Sequence, residues 1–398
     1  MTGANAQSSG DAAYWNAVIC LSLLAFTVSA SEFLPANLLT PIANDLGITE
    51  GQLGQAISVS GLFAIATSLL GNSLLTRLDR RIAVMMYTGA LVLSGVAITF
   101  APNYLVFIIG RALIGITVGG FWSLSTAILA RLVTSKDLPK AITILQGGGA
   151  LAALIAIPLG AFLAGLIGWR AAFFMIVPIG ITGLIWQAIA LPAMPASHTV
   201  SVRRMFGLFH SPIFAIGMTA VTLAFMGRYA MFTYVRPFLE GVTGMNVNGL
   251  SLMLFGIGIA GLIGTIMAGF VLRNHLRAAL IGLPVAMAVI SLTLVPTGHI
   301  PSVTVILLLL WGLLANPIPV AWFTWIARVV PNDMEAAGGL QVALIQFAIT
   351  FGAAGGGLLF DITGWWSPFV LAALLLGVAA AFAAKAAPSN TKGGLASN

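Results

Sequence analysis

From residue 16 to residue 386 the sequence is a succession of apolar runs, each long enough for a helix to cross a membrane, broken only by short polar segments. A hydrocarbon core about 30 Å thick needs about 20 such residues per helix. Lipid offers no partner to a bare backbone amide, so the crossing segment must bond its own. Cutting at the polar breaks gives twelve spans: 16–44, 50–75, 82–100, 103–131, 138–166 and 169–191, then 212–241, 246–273, 277–297, 301–329, 334–362 and 366–386. Charged residues are 7% of the chain and apolar ones 59%, which leaves too little charge to cover a water-facing surface. The chain reads as an all-α integral membrane protein. The opening "MTGANAQSSGDAAYW" has no basic stretch ahead of the first apolar run, so that run is expected to remain as a spanning helix.

The basic residues sort to one side of these spans. With the N-terminus inside, the cytoplasmic breaks hold Arg77, Arg80 and Arg81, Arg131, Lys136 and Lys140, Arg203 and Arg204, Arg273 and Arg277, and Arg328, and the tail adds Lys385 and Lys392. The external breaks clearly hold Arg170 alone. This positive-inside pattern predicts that both termini face the cytoplasm. It also accounts for the net charge of +7 without a nucleic-acid partner, because the basic residues form no dense patch.

The longest break, Pro192 to Ser211, falls near the middle. It divides the chain into a six-helix bundle at 16–191 and another at 212–386, joined by a cytoplasmic linker at 192–211, with tails at 1–15 and 387–398. The two parts also match each other. Laying Gly160 on Gly356 aligns "GAFLAGLIGWR" with "GGLLFDITGWW", and within a residue the same shift aligns "ARLV" at Ala130 with "ARVV" at Ala327 and "LGI" at Leu46 with "TGM" at Thr243. Two parallel halves related by an axis along the membrane normal are a known transporter plan. The expected fold is therefore twelve transmembrane helices in two pseudo-symmetric six-helix bundles.

Most acidic residues, Asp333 and Glu335 among them, lie in loops or at helix ends. Glu32 does not. It lies about 24 Å along the first helix at 1.5 Å per residue, and Arg111 lies about 12 Å below the outer face in the fourth. Arg228 falls at the depth of Glu32 in the seventh. An ion at the bilayer centre costs at least about 2.5–3.5 kcal/mol, so such residues face a cavity or one another. Glu32 and Arg111 then have two readings. They form a buried ion pair that locks helix packing, or Glu32 is a titratable group whose proton is governed by burial and by the nearby guanidinium. Arginine keeps its own proton under working conditions.

Polar and aromatic residues collect on the same helices. Trp122 and Ser123 follow Arg111; Arg228, Phe232 and Arg236 repeat at i, i+4, i+8; Asn316, Trp322 and Trp325 lie in a proline-interrupted stretch; Gln146, Gln341 and Gln346 lie on helices 5 and 11. Rings that stack and amides that hydrogen-bond suit a flat heteroaromatic solute. The candidate substrate contacts are Glu32, Trp122, Gln146, Arg228, Phe232, Asn316, Trp322, Gln341 and Gln346, with Glu32 and Arg111 as the proton-coupling pair. The lone Cys20 excludes an internal disulfide, His198, His210, His275 and His299 have no metal spacing, and no phosphate-cradling glycine loop occurs. No nucleophile, base or metal cluster converges as an enzyme requires, and no cofactor or metal is expected.

The stretches "SEFLPANLLTPIANDLGITEG", "IGRALIGITVGGFWSLS", "PLGAFLAGLIGWR", "MFTYVRPFLEGVTG" and "AGGLQVALIQFA" resemble the major facilitator superfamily, in its bacterial drug:proton antiporter branch and most of all the purine-nucleoside exporters there. The resemblance covers nearly the whole chain. It implies the major facilitator fold in the bacterial inner membrane, a monomer surrounded by lipid, and export of purine ribonucleosides or related solutes in exchange for protons, with the proton gradient as energy source. A multidrug, sugar or organic-acid exporter of the same superfamily is the alternative. The resemblance matches Arg111, Gly115 and Gly119 to the fourth-helix proton-coupling motif. It matches Pro158 and Gly160 to part of the fifth-helix antiporter motif, and Gly71, Arg80 and Arg81 to the gating loop between helices 2 and 3. Leu75 stands where that loop pattern has aspartate, Ile157 where the fifth-helix motif has glycine, and Arg228 where the nucleoside exporters carry an uncharged polar residue.

Overall fold

The computed structural model describes residues 5–75, 78–195 and 202–386; Arg77, His198 and Lys392 lie outside them. α1 (Asn5–Asn37) and α2 (Leu39–Leu46) form the first span, followed by α3 (Glu50–Leu74), α4 (Arg80–Thr99), α5 (Tyr104–Leu132) and α6 (Leu138–Ile167). α7 (Trp169–Phe174) and α8 (Ile176–Ala190) complete the first bundle, and the short α9 (Val202–Gly207) lies in the connection. The second bundle comprises α10 (Pro212–Phe232) with α11 (Val235–Gly241), α12 (Val247–Thr297), α13 (Pro301–Ala315) with α14 (Pro317–Val329), α15 (Met334–Thr363) and α16 (Ser367–Ala386).

Local chemistry sets many of these boundaries. Thr49 and Gln52 close a reciprocal capping box at the start of α3, and Asn103 and Asn246 accept from the first turns of α5 and α12. Prolines occupy the first turns of α6, α10, α13 and α14, where a missing amide donor costs nothing. Gly168 and Gly364, which end α6 and α15, both turn with positive φ (90° and 102°), a conformation side chains disfavour. They are counterparts under the shift that lays Gly160 on Gly356, so the repeat extends to turn geometry.

Two boundaries differ from the sequence reading. The segment expected as an N-terminal tail is helical from Asn5. The eighth and ninth spans are not separated by a loop: α12 runs 51 residues, and among them only His275 leaves helical values, at φ −123° and ψ 32°. Straight, such a helix would be about 76 Å long, far beyond a bilayer, so the bend at His275 serves as the turn. The surrounding "LRNHLR" has no glycine or proline to stop a helix. The two parts meet different neighbours. Gly258 and Gly269 face Leu154 and Thr143 of α6, whereas Ser291 bonds the Met231 sulfur of α10.

Inside the bundles, helices close to backbone contact at small residues. A Cβ on Gly115 or Gly119 of α5 would stand 2.2 Å from the carbonyl oxygen of Ser60 or Ala64 on α3. On α15, Gly352 and Gly356 take the same role against Met226 and Ala230 of α10. Lipid gives no hydrophobic push between helices, and close van der Waals contact takes its place. The outer faces carry large apolar side chains such as Phe162, Ile189 and Phe270, which only a lipid environment solvates without cost.

The bundles meet along α15, which packs on α3 and α5, and along α6 against α12. A joint held by ion pairs lies at the end bearing the basic loops. There Glu335, in the first turn of α15, takes Arg80 Nε at 2.9 Å and Arg131 Nη2 at 3.3 Å from the first bundle. Gly338, one turn on, lets α15 lie against the Ser123 carbonyl. Arg204 of α9 pairs with Asp333. Toward the opposite end, α1 and α10 share at most a marginal contact among the described residues. The molecule is thus closed at its basic end.

Candidate functional site

Between the bundles lies a cavity of about 320 Å³. Its walls are built from matched helix faces. α1 gives Ser29, Glu32 and Phe33, and α10 gives Phe225, Arg228 and Tyr229, each set at i, i+3, i+4. α6 gives Gln146, Gly149, Ala150 and Ala153, and α15 gives Val342, Ile345, Gln346 and Ile349, each over two turns. The Gly160-on-Gly356 shift lays every one of these residues on its counterpart: Glu32 on Arg228, Phe33 on Tyr229, Gln146 on Val342, Ala150 on Gln346. The cavity is therefore lined by the same positions twice, with different side chains.

Trp122 of α5 and Phe323 of α14 stack across the bundle interface with centroids 6.4 Å apart and planes 24° from parallel. They floor the cavity on its basic side. Phe33, Phe225 and Tyr229 add rings to the walls, and Gln146, Asn316, Gln346, Ser29 and Thr265 add uncharged hydrogen-bonding groups.

Glu32 is reached from both bundles. The side-chain amide of Gln346 hydrogen-bonds its carboxylate from α15, and Arg111 acts on it electrostatically from α5. Arg111 itself is fully buried beneath the wall, donating from Nη1 to the Ser31 carbonyl at 3.3 Å and from Nη2 to Ser60 Oγ at 2.7 Å. The direct ion pair considered from sequence is not formed. None of the five close ion pairs among the described residues joins these two, because the guanidinium is spent on α1 backbone and α3 hydroxyl. Gly115 and Gly119 make this possible by bringing α5 against α3 at Ser60.

Across the cavity, Arg228 Nη2 donates to Asn316 Oδ1 at 2.7 Å, and its guanidinium lies 5.5 Å from the centre of the Tyr229 ring. Asn316 sits at the α13–α14 junction with its Nδ2 against Gly261 of α12. A Cβ on Gly261 would meet that nitrogen at 2.2 Å.

Glu32, Trp122, Gln146, Arg228, Asn316 and Gln346 thus line one cavity. Phe232, Trp322 and Gln341 do not. The regular face expected through Phe232 and Arg236 is interrupted, since α10 ends at Phe232 and a new helix starts at Val235. Phe232 instead stacks on Trp311 with centroids 5.6 Å apart, and Arg236 pairs with Glu240. Trp322 is one residue from the lining Phe323, about 100° around the helix, and packs edge-on to Trp325 in the bundle interior. Gln341 precedes Val342 on the closed side and is fully buried, with both amide atoms lacking a hydrogen-bond partner.

Of the gating-loop residues only Arg80 reaches the other bundle. Gly71 clears space for the Tyr87 hydroxyl, and Arg81 bonds the Ala188 carbonyl within its own bundle. Leu75 joins the arrangement through its backbone, its carbonyl accepting from Arg80 Nη1 at 2.9 Å. Glu335 carries the acidic role at this joint, supplied from α15; as a helix-end acid it gave no sign of it in the sequence. Ser29, Phe33, Phe225 and Tyr229 are not among the candidate contacts read from the sequence; the signal that points to them is helical spacing around Glu32 and Arg228 carried through the repeat.

Residues 21–340 match the Major Facilitator Superfamily. The chain is 47% identical over 380 residues to a Pseudomonas aeruginosa protein named transcription regulatory protein OpdE, covering 94% of each chain. It is 38% identical over 362 residues to the purine ribonucleoside efflux pump NepI of Salmonella enteritidis, covering 91% of each. Among solved structures, the transporter FucP in its outward conformation superposes with a TM-score of 0.79 at 15% identity, over 95% of this chain and 100% of that one. Helical bundles, central cavity and matched sequence agree: the chain is a multi-pass membrane transporter of the major facilitator superfamily.

Proposed function

We propose that the protein is a proton-coupled secondary active exporter of purine ribonucleosides or closely related flat heteroaromatic solutes, working by alternating access as a monomer in the bacterial inner membrane. The observation that carries the reading is Glu32: a carboxylate inside the solute cavity, bonded by Gln346 from one bundle and biased by Arg111 from the other. Ionised, it is a strong acceptor for the Gln346 amide; protonated, it loses about half of that attraction. Proton uptake therefore loosens a link between the bundles at the place where the solute sits. The kinship with NepI supports nucleosides as cargo, and the rings and amides of the cavity suit them.

With the basic loops toward the cytoplasm, as positive-inside distribution favours, both described ends of the chain face inward and the closed end is cytoplasmic. Opening that end breaks the Glu335 contacts with Arg80 and Arg131 and unstacks Trp122 from Phe323. Arg80, Arg81 and Gly71 act in this gate, Arg80 directly and the other two by holding α3, α4 and α8 together.

The test is efflux of radiolabelled inosine from proteoliposomes with and without an imposed proton gradient. Gradient-driven movement in wild type, reduced to background in Glu32→Gln while inosine-for-inosine exchange continues, is the expected result. Proton-driven transport unchanged in Glu32→Gln would remove the carboxylate from the mechanism.

A further inference from the structure

The cavity holds one cation more than it compensates. Glu32 has Arg111 beneath it. Arg228 has no carboxylate: it enters none of the close ion pairs among the described residues, and its protein contacts are the neutral Asn316 oxygen and the Tyr229 ring. One guanidinium nitrogen is spent on Asn316, and none of its nitrogens is sealed away without a partner, so its remaining donors stay open to the cavity. Asn316 is wedged against Gly261, which fixes the guanidinium rather than leaving it to swing. An uncompensated cation at this depth is costly, and the cost is relieved by a counter-charge brought by the solute. Arginine presents a planar fork that favours a delocalised, two-point acceptor over a point charge.

Two further features narrow that acceptor. The rings of Trp122, Phe225 and Tyr229 ask for a flat aromatic body next to the charge. Glu32, on the matching position of the opposite wall, disfavours a second negative charge, which excludes a phosphate dianion. Tyr229 lies within electrostatic reach of both Arg228 and Glu32, so the two charges share one small space.

We propose that this site selects purine nucleosides in a singly anionic form, with the negative charge delocalised over the ring and its exocyclic oxygens, and that Arg228 held by Asn316 is the residue that reads that charge. The proposal rests on the nucleoside reading above. Xanthosine and inosine make the comparison: they differ by one ring carbonyl, and near neutral pH xanthosine has lost a ring proton that inosine keeps.

Binding of each is measured by calorimetry on the purified full-length chain in detergent at neutral pH. Wild type is expected to prefer xanthosine by about tenfold or more, the scale of one charge-assisted fork. Arg228→Gln is expected to bring the ratio near one by weakening xanthosine more than inosine, and Arg228→Lys to keep part of the preference. Equal affinity for the two in wild type overturns the inference and leaves the nucleoside reading intact; this arm needs no variant. A preference that survives Arg228→Gln also overturns it. Failure of both nucleosides to bind a monodisperse wild-type protein overturns the nucleoside reading and this inference with it.

Discussion

Glu32 and Arg228 occupy matching positions in the two bundles and line the same cavity, yet they are held in opposite ways. The acid is exposed to influence from both sides, with an amide from the far bundle and a buried cation behind it. The base is tied within its own bundle, to an asparagine whose place is fixed by a helix junction and a glycine. A group that must change its charge state benefits from partners that move relative to one another. A group that must recognise a charge benefits from partners that do not. The repeat supplies two equivalent places, and the surroundings give them different work.

Exchanging the two charges tests whether the surroundings matter. The double variant Glu32→Arg with Arg228→Glu keeps the sum of charges but sets an arginine above Arg111 and a carboxylate against the Asn316 oxygen. Transport by this variant is expected at background, with a lowered melting temperature in detergent. Recovery to half of wild-type efflux would show that the charges alone suffice. Glu335→Ala probes the other place where bundles meet. Removing the partner of a buried arginine costs about 3–5 kcal/mol, and the loss falls only on the form closed at the basic end. A cysteine placed at Ser123 in a Cys20→Ala background is expected to label at least tenfold faster with a membrane-impermeant thiol reagent from the basic side; an unchanged rate would mean the joint is held elsewhere. Gly119→Ala separates packing from charge, since the new methyl would stand 2.2 Å from the Ala64 carbonyl. Overpacking of this kind costs about 1–3 kcal/mol, read as a lower melting temperature, whereas a neutral result would mean α5 and α3 yield freely. The smallest effect is expected from Phe232→Leu, which should alter the transport KM by less than about twofold. A larger change would bring that ring back to the solute.

The repeat was legible because it leaves its mark in glycines and helix-end patterns, which sequence carries directly. The charged members of the cavity were legible for a similar reason: Glu32, Arg111 and Arg228 stand out in apolar runs where an ion is expensive. The apolar members were not. Phe33, Phe225 and Phe323 look like any core ring, and only helix phase tells them from Trp322, one position away on α14. Phase also failed at Phe232, where the break at Thr233 and Tyr234 ends the regular face. Glu335 was hidden by its position, since an acid in a first helical turn is ordinary until the opposing arginines are seen. The bend at His275 had no signal of its own, because nothing in its neighbourhood stops a helix.

The equal depth of Glu32 and Arg228 bears on how voltage acts on the transporter. Their opposite charges form a dipole lying in the plane of the membrane, so the transmembrane potential does little work on it as the bundles rock. Electrical sensitivity is then left to the Arg111 charge, which stays fixed in one bundle, and to the charges the cavity carries across. Each elementary charge moved across is worth about 2.3 kcal/mol per 100 mV. On the proposed exchange of solute for protons, export of a neutral nucleoside moves one charge per proton taken in, and export of a singly charged anion moves the equivalent of two. The potential dependence of efflux therefore reports the charge of the solute that the cavity carries.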